Sequence, residues 1–440
     1  MRLISFLTIM ILTTSCLAEE PSVERGKKAL LGTSYIPPAW RNPAYENVWK
    51  LWKGVEAKPA DYPAAIRERY GLHPAPYPNG DLPMGLRQAS FLFIKGVSID
   101  CLLCHGGSIH GKSYVGLGNS SLEIQSLFEE LSGADNRPAR TPFPFGNVRG
   151  TSEAGSMAVY LLGFRNPDLS LHPKRTELGL HADMCEDVPA WWLLKKKKTM
   201  YYTGGADARS VRSKMQFMMT PLTTREDFDK HEPAFRDIQA YILSLEAPKY
   251  PYPIDAQQAE TGAKLFAQNC VSCHGTYGDH WTYPNKIVPL DKIGTDPKRY
   301  DGISPEFGEY YNQTWFAQEV KDGYTAIPSK GYQAPPLDGL WATAPYLHNG
   351  CAPTVEHVLN SKIRPIIFTR SYKTGEEDYD AKRLGWKFTE LKEMPKTEAA
   401  IERRKIYDTR EPGRGNGGHT FGDHFSDEER AAVIEYLKTL

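Results

Sequence analysis

The stretch Cys270-Val271-Ser272-Cys273-His274 decides the interpretation of this sequence. It has the form C-x-x-C-H, in which two thiols one helical turn apart can form thioethers with the vinyl groups of one haem. The histidine that follows can then bind the iron as an axial ligand. The same pattern recurs at Cys101-Leu102-Leu103-Cys104-His105. A zinc or redox C-x-x-C would leave the next histidine unexplained in both copies. The sequence therefore predicts two covalently bound c-type haems.

Length and charge restrict the class of protein. The chain has 440 residues, which suggests two domains rather than one core. Lys plus Arg and Asp plus Glu both number 53, and this lack of a basic excess argues against a nucleic-acid-binding protein. The local run from Lys195 to Lys198 is either a solvated helix face or a docking patch for an acidic redox partner protein.

The first residues predict export. Arg2 precedes an apolar run from Leu3 to Leu12, and small and polar residues follow as far as Ala18. This pattern predicts a signal peptide over residues 1–18 and a periplasmic or secreted bacterial protein. Cys16 lies in a poor relative of a lipobox, so lipid anchoring there is the alternative. No later stretch approaches the roughly 20 apolar residues of a transmembrane helix, so no membrane span is predicted.

A proline-rich stretch at residues 248–254 marks the predicted domain boundary, because closely spaced prolines favour an extended linker. The first domain, residues 19–247, begins as an irregular aromatic wrap, with predicted helices from Ala60 to Tyr70 and from Pro233 to Leu245. The second covers residues 255–440. The sequence thus predicts a mainly α protein with two tandem cytochrome c-like haem domains, long loops and little β structure.

Two helices frame the second domain. Asp255 and Gln258 form a candidate capping box at the start of a helix that runs directly into Cys270. Ser426 and Glu429 form another at the start of the last helix. In small cytochrome c domains such helices cross closely at a glycine, and Gly262 and Tyr436 resemble that pair.

A family resemblance rests on Thr343-Ala344-Pro345-Tyr346-Leu347-His348-Asn349-Gly350. This segment resembles the T-A-P-Y-[FL]-H-[DN]-G segment of the dihaem cytochrome c peroxidase superfamily. The Leu-His-Asn-Gly form is most similar to the rubber-oxygenase branch, as is the glycine-rich stretch from Gly415 to Gly422. Cys351, where the family more often has serine or a charged residue, and the length of the chain depart from the family pattern.

The motifs and the resemblance together assign haem residues. The thioether positions are Cys101, Cys104, Cys270 and Cys273, and the proximal ligands are His105 and His274. The resemblance implies His419 as the sixth ligand of the second haem, with His424 as its competitor; His280 and His357 also lie downstream. His348 is implied to lie near the haems and contact a propionate, the alternative being an ordinary turn histidine.

The first haem has no clear sixth ligand in the sequence. His110 is only five residues past His105, which is too near to reach the opposite face. The hypothesis is an open distal side lined by aromatic groups, with Trp191 and Trp192 as candidates, although adjacent tryptophans are often plain core. The remaining possible ligands in this half are His172, His181, Met215, Met218 and Met219.

Two functions from different classes follow. In the first, the protein is a haem-dependent oxidoreductase of the peroxidase or dioxygenase type, with His348 and Trp191 as catalytic candidates. Its first haem would react with peroxide or dioxygen, an apolar organic substrate being possible, and its second would exchange electrons with a redox partner protein or small donor. In the second, it is an electron-transfer cytochrome with both haems six-coordinate. Pairing of Cys185 with Cys351 and two separate buried thiols stay equally open.

Overall fold

The computed structural model describes residues 20–321 and 323–440, so the predicted signal peptide and Cys16 lie outside the described residues. Helices supply most of the regular structure, and the protein is mainly α, as predicted. The α-helices are α1 Ser22–Gly32, α2 Asn42–Asn47, α3 Tyr62–Tyr70, α4 Leu102–His105, α5 Ile124–Ala134, α6 Ala154–Leu162, α7 Arg212–Met215, α8 Arg225–Ser244, α9 Ala256–Asn269, α10 Val271–His274, α11 Leu290–Ile293, α12 Lys298–Asp301, α13 Pro305–Gln313, α14 Val355–Leu359, α15 Ala400–Arg403 and α16 Asp427–Leu437.

The β structure consists of short strands in small antiparallel sheets. Two three-stranded sheets have the orders β1-β3-β2 and β13-β10-β14, and the other strands form two-stranded pairs. The strands are β1 Trp40–Arg41, β2 Leu86–Phe91, β3 Ile94–Ile99, β4 Gly106–Ile109, β5 Lys112–Val115, β6 Thr199–Met200, β7 Ala206–Asp207, β8 Ile287–Pro289, β9 Gly331–Gln333, β10 Ile367–Thr369, β11 Tyr379–Asp380, β12 Gly385–Trp386, β13 Thr389–Glu390 and β14 Ile406–Asp408.

Helices α9 and α16 cross closely, as predicted. A Cβ atom on Gly262 would lie 1.9 Å from the Ala432 carbonyl oxygen, so only glycine permits this approach. The Asp255 side chain caps α9 by accepting from two backbone N–H groups. The reciprocal hydrogen bond of the predicted capping box, from the Asp255 N–H to the Gln258 side chain, is not formed. The backbone N–H of Asp255 instead donates to Glu435, at 2.7 Å, which ties the start of α9 to α16.

The same crossing occurs in the first half, between α1 and α8. A Cβ atom on Gly26 would lie 1.9 Å from the Asp237 carbonyl oxygen. Leu30 of α1 is buried in the same core as Phe235 and Ile238 of α8. The sequence analysis did not find α1, and it began the closing helix at Pro233 rather than at Arg225. That earlier start is set by a capping box at Thr224, and Pro233 lies inside the helix.

The two predicted domains share their cores. The core around α1 and α8 includes residues 307–317, which belong to the second half. The core around α9 and α16 includes Ile109, Leu117, Ala190 and Trp192 from the first half. Residues from both halves form each core, so residues 248–254 do not separate two independent cores. The division at these residues stays a prediction about how the chain is ordered along its sequence.

The helix predicted from Ala60 to Tyr70 is confirmed as α3. Its residues Tyr62, Ile66 and Tyr70 are all buried on one face. Asp61 caps its start and Gly71, in the left-handed conformation, ends it. Among residues 20–321 and 323–440, no helix has both the length and the hydropathy needed to cross a bilayer.

Candidate haem sites

The second C-x-x-C-H motif opens onto a large apolar cavity. Helix α10 carries Cys273 and His274, and Cys270 immediately precedes it. Both cysteines are free thiols and both line a cavity of about 300 Å³. Most of its wall is aliphatic, including Val288, Ile293, Leu337, Leu359, Val433 and Leu437.

His274 is oriented by a backbone carbonyl. Its Nδ1–H donates to the Pro335 carbonyl oxygen at 2.8 Å. This hydrogen bond fixes the ring and the tautomer, leaving the lone pair of Nε2 for a metal. No motif in the sequence indicates this role for Pro335.

His419 faces His274 across the cavity. The two ring centroids lie 6.4 Å apart, at an interplanar angle of 56°. A metal–imidazole bond is about 2.0 Å and the ring centroid lies about 1.2 Å beyond the nitrogen, so two imidazoles on one iron would have centroids roughly 6.4 Å apart. The observed separation is therefore that of an axial ligand pair. The residues present fit a haem at this position.

Two sets of hydrogen bonds hold the loop that carries His419. The backbone N–H of His419 donates to the Ile293 carbonyl at 2.7 Å. The Arg364 guanidinium donates to the carbonyls of Asn416, Gly418 and His419. Burial lowers the pKa of His419 to about 4 and lowers that of His274, so both imidazoles are neutral, which is the form that binds a metal.

The other histidines downstream of His274 occupy different surroundings. His280 is exposed. His424 packs its ring against Phe425, with centroids 4.5 Å apart. His357 is buried and held between the Thr354 hydroxyl and the Arg383 guanidinium, at 2.8 and 3.0 Å. Of the candidates for a sixth ligand, only His419 and His348 line the cavity.

His348 lies at a polar end of the cavity. Its ring stacks on Tyr332, with centroids 4.2 Å apart, and its buried Nε2 has no hydrogen-bond partner among the described residues. The buried hydroxyl of Thr295 also lacks one and also lines the cavity. Unpaired buried donors are costly. Carboxylates at the edge of a bound haem would satisfy both, and this fits the propionate contact predicted for His348. The sequence analysis missed Thr295 and Tyr332, for which no motif gives a signal.

The first motif lies in a recess. Cys101 is exposed, yet burial raises the pKa of its thiol to about 12, so the thiol faces open space among surrounding residues. Burial also raises the pKa of Cys104 to about 12 and lowers that of His105 to about 4. The Pro189 carbonyl opposes the shift at His105, but the buried Nδ1 of His105 makes no hydrogen bond among the described residues, unlike Nδ1 of His274. The first motif thus repeats the cysteines and the neutral histidine of the second, and these residues fit a haem here too.

The structure corrects the predicted position of Trp191. The sequence predicted Trp191 at an open distal side, but its ring stacks on His105 with centroids 4.6 Å apart and an interplanar angle of 24°. A ring in that position would lie beside the proximal ligand and not on the opposite side of a bound haem. Trp192 is buried in the core around α9 and donates its indole N–H to the Asp338 carbonyl at 2.8 Å.

The remaining candidates in the first half separate into two groups. Met215, Met218 and Met219 are buried in one core with Leu102 of the motif. The histidines lie elsewhere. His181 is exposed, His172 is half-buried, and His110 lies between the rings of Tyr252, Trp341 and Tyr379.

Cys185 and Cys351 are free, buried thiols. Both contact Asn349: the Cys185 thiol lies 3.9 Å from its carbonyl oxygen, and the Cys351 N–H donates to its side chain. The structure therefore favours two separate thiols over a disulfide.

His357 gives a prediction about stability and pH. Burial, aided by the positive charges of Arg383 and Arg364, lowers its pKa to about 3, below the ordinary value of 6.5. As the pH falls below about 6.5 the unfolded chain takes up this proton first, so this group alone lowers the unfolding free energy by about 1.4 kcal/mol per pH unit until the pH reaches about 3. His357→Gln should make the pH dependence less steep by about that amount in this window, while the other buried histidines keep their contributions. Denaturant titrations between pH 7 and roughly 4 measure it, and exposed His280→Gln, the control, should keep the wild-type slope.

Comparison with known proteins finds two family matches in the second half of the chain. Residues 331–369 match the family described as RoxA-like, cytochrome c-like, and residues 257–347 match the cytochrome c oxidase, cbb3-type, subunit III family. These matches support a c-type cytochrome, a class that implies covalently bound haem c. Within that class, the match to the RoxA-like family covers the segment that contains His348.

Two curated relatives come from Sinorhizobium fredii, and both are described as uncharacterized. The protein y4iJ is 30% identical over 264 residues, covering 45% of this chain and 42% of y4iJ. The protein y4iM is 28% identical over 296 residues, covering 58% of this chain and 64% of y4iM. The chain thus spans less than two thirds of either relative. A solved Kuenenia stuttgartiensis hydrazine synthase chain has a TM-score of 0.27 and 13% identity, over 68% of this chain and 89% of that one, which is too low to transfer a fold or function.

Proposed function

We propose that this c-type cytochrome is an exported dihaem oxidoreductase of the peroxidase or dioxygenase type. One haem would be attached at Cys101 and Cys104 and the other at Cys270 and Cys273. The repeated arrangement of a glycine helix crossing and a C-x-x-C-H motif supports one haem in each half. A haem with two protein ligands passes electrons, whereas one with a free position can bind dioxygen or peroxide.

The single observation that carries the proposal is the 6.4 Å separation of the His274 and His419 rings. Two neutral imidazoles at this distance would saturate the second iron. The aliphatic cavity wall would exclude water from it, and the Pro335 carbonyl would hold His274 in place. This site is therefore assigned to electron transfer.

The reactive site is assigned to His105. Among the described residues, the ring that contacts His105 is the indole of Trp191 and not a second imidazole, so no histidine pair like His274–His419 is formed there. Trp191 would position the His105 ring. It also belongs to the segment that begins at Asp187 and lines the second cavity, so one short stretch of chain contacts both sites.

Asp187 is the candidate proton-holding group of that stretch. Burial raises the pKa of its carboxyl well above the ordinary value, which favours the protonated form. The Tyr202 hydroxyl lies 3.4 Å from Asp187 Oδ2, and the Asp187 N–H donates to the His348 carbonyl at 2.8 Å. The substrate would be peroxide or dioxygen, with or without an apolar organic molecule, and electrons would come from a redox partner protein or small donor.

The rival function is electron transfer at both sites. Met215, Met218 and Met219 favour it, because they are buried in the same core as Leu102 and Trp191 contacts that core. A thioether from one of them would saturate the first iron as well.

Optical and EPR spectroscopy of the purified oxidised protein separates these functions. The proposal expects one low-spin haem with two histidine ligands and a second haem that binds cyanide or, after partial reduction, carbon monoxide. Low-spin signals from both haems, with no ligand addition after partial reduction, would exclude the enzymatic function. A haem stain after denaturing electrophoresis, together with the intact mass, counts the covalent haems.

A further inference from the structure

The hairpin formed by β2 and β3 ends in a protruding apolar tip. Six consecutive residues, 90–95, are all exposed. Phe91 and Ile94 are the last paired residues, and Leu92 and Phe93 form the turn between them. Leu92 is 82% exposed and Phe93 is fully exposed. Single exposed apolar residues are ordinary on protein surfaces, but four in a row at the end of a projecting hairpin are not.

The turn retains these side chains at a conformational cost. Leu92 has a φ of 52°, in the left-handed region. Two-residue hairpin turns normally place glycine, asparagine or aspartate at such a position. If the turn served only to stabilise the hairpin, a sequence such as Asn-Gly would be favoured. The two large apolar residues therefore indicate that the turn has a role other than stabilising the fold.

We propose that this hairpin tip inserts into the surface of a lipid bilayer with anionic headgroups. The first reason is its shape and depth. Apolar side chains cover the turn and the row behind it, while Ser90 and Lys95 form the next row. Rows along a strand are about 3.3 Å apart, so Lys95 stands roughly 7 Å behind the turn. That spacing matches the 5–10 Å to which interfacial segments bury their apolar residues, with the lysine at headgroup level.

The second reason is charge. The hairpin from Leu86 to Ile99 contains no acidic residue. Its charged residues are Arg87, which is buried and paired with Asp100 at 2.8 Å, and the exposed Lys95. The tip therefore presents apolar side chains and one cation to an anionic surface. The hairpin carries no carboxylate that such a surface would repel. Phenylalanine at two of the four positions suits the boundary between headgroups and acyl chains.

A second copy of this chain is a less suitable occupant. β2 lies at the edge of its sheet, and strand pairing there would extend along Leu86–Phe91. Such pairing would leave the turn residues Leu92 and Phe93 beyond its end. A bilayer, in contrast, surrounds a convex tip without a matching pocket.

Vesicle flotation tests the proposal with the full holoprotein. All variants carry Cys16→Ser, which removes the cysteine that the alternative to a cleaved signal peptide would use for a lipid anchor. The wild-type tip should bind vesicles of phosphatidylglycerol and phosphatidylcholine. Leu92→Asn with Phe93→Gly installs a favoured turn and should weaken binding more than about tenfold, since two large apolar side chains leave the bilayer. Its haem spectrum and thermal midpoint should be retained. Lys95→Glu should weaken binding only when phosphatidylglycerol is present.

The matched control is Leu222→Ser, which removes an apolar residue that is 56% exposed and distant in sequence from the hairpin. It should bind vesicles as the wild-type tip does. Three results would overturn the proposal: no vesicle binding by the wild-type tip, unchanged binding after the Asn-Gly exchange, or a dimer that the exchange converts to monomer. None of these readouts depends on catalysis, so they do not test the proposed function.

Discussion

Replacing His419 with alanine should convert the second haem from a low-spin to a high-spin or ligand-accepting state while the haem stays covalently attached. The reason is geometric, because His419 stands opposite His274 at the separation of an axial ligand pair. Because the proposal assigns the low-spin signal to this haem alone, almost all of that signal should disappear. Carbon monoxide should then bind the reduced second haem. Optical spectra and EPR of the oxidised and reduced variant measure both effects.

The matched control is His424→Ala. His424 lies on the same loop and packs against Phe425 rather than lining the cavity. Its removal should leave the spectrum unchanged. A wild-type spectrum in His419→Ala, or a loss of low-spin signal in His424→Ala, would move the sixth ligand away from His419. Added imidazole should restore the low-spin spectrum of His419→Ala, since the small ligand can occupy the space that the side chain leaves.

Local rules predicted the frame of the second half. Asp255 and Ser426 act within one helical turn, so their capping roles can be deduced from short stretches of sequence. The crossing at Gly262, which meets Ala432, was indicated by the resemblance to small cytochrome c domains. The C-x-x-C-H motif has the same local character. His419 was different, since its position depends on a loop held by Ile293 and Arg364, and only the family resemblance indicated it.

The fold of the first half was harder to predict from the sequence, because the segments that pack together there are far apart along the chain. Helix α1 ends at Gly32, about seventy residues before Cys101, whereas α9 runs directly into its motif. A signal nevertheless existed: Glu24, Gly26 and Lys28 have the same spacing as Glu260, Gly262 and Lys264. An internal comparison would have identified α1 as the partner of the closing helix. No sequence pattern gives the stacking of Trp191 on His105, which depends on side-chain packing between segments more than eighty residues apart.

Replacing Cys101 and Cys104 together with serine should remove one covalent haem and, with it, the ligand-binding activity of the protein. Serine cannot form the thioethers, and the recess around His105 would then hold at most a loosely bound haem. The intact mass should fall by about one haem, and the remaining spectrum should be that of the second haem with two histidine ligands. Cyanide or carbon monoxide binding, and any peroxidase activity of the wild-type protein, should be lost almost completely.

Cys185→Ser is the control, because it removes a buried thiol outside both motifs and should retain both haems. The corresponding exchange of Cys270 and Cys273 makes the test two-sided. That variant should lose the low-spin haem but keep a ligand-binding haem at His105. If ligand binding instead survives the exchange at Cys101 and Cys104 and disappears with the exchange at Cys270 and Cys273, the two roles are reversed. The His274–His419 pair would then have to open during the reaction. His419 would be the ligand that leaves, because the contacts to Ile293 and Arg364 hold its backbone and not its ring. The ring of His274, in contrast, is fixed by its own hydrogen bond to the Pro335 carbonyl.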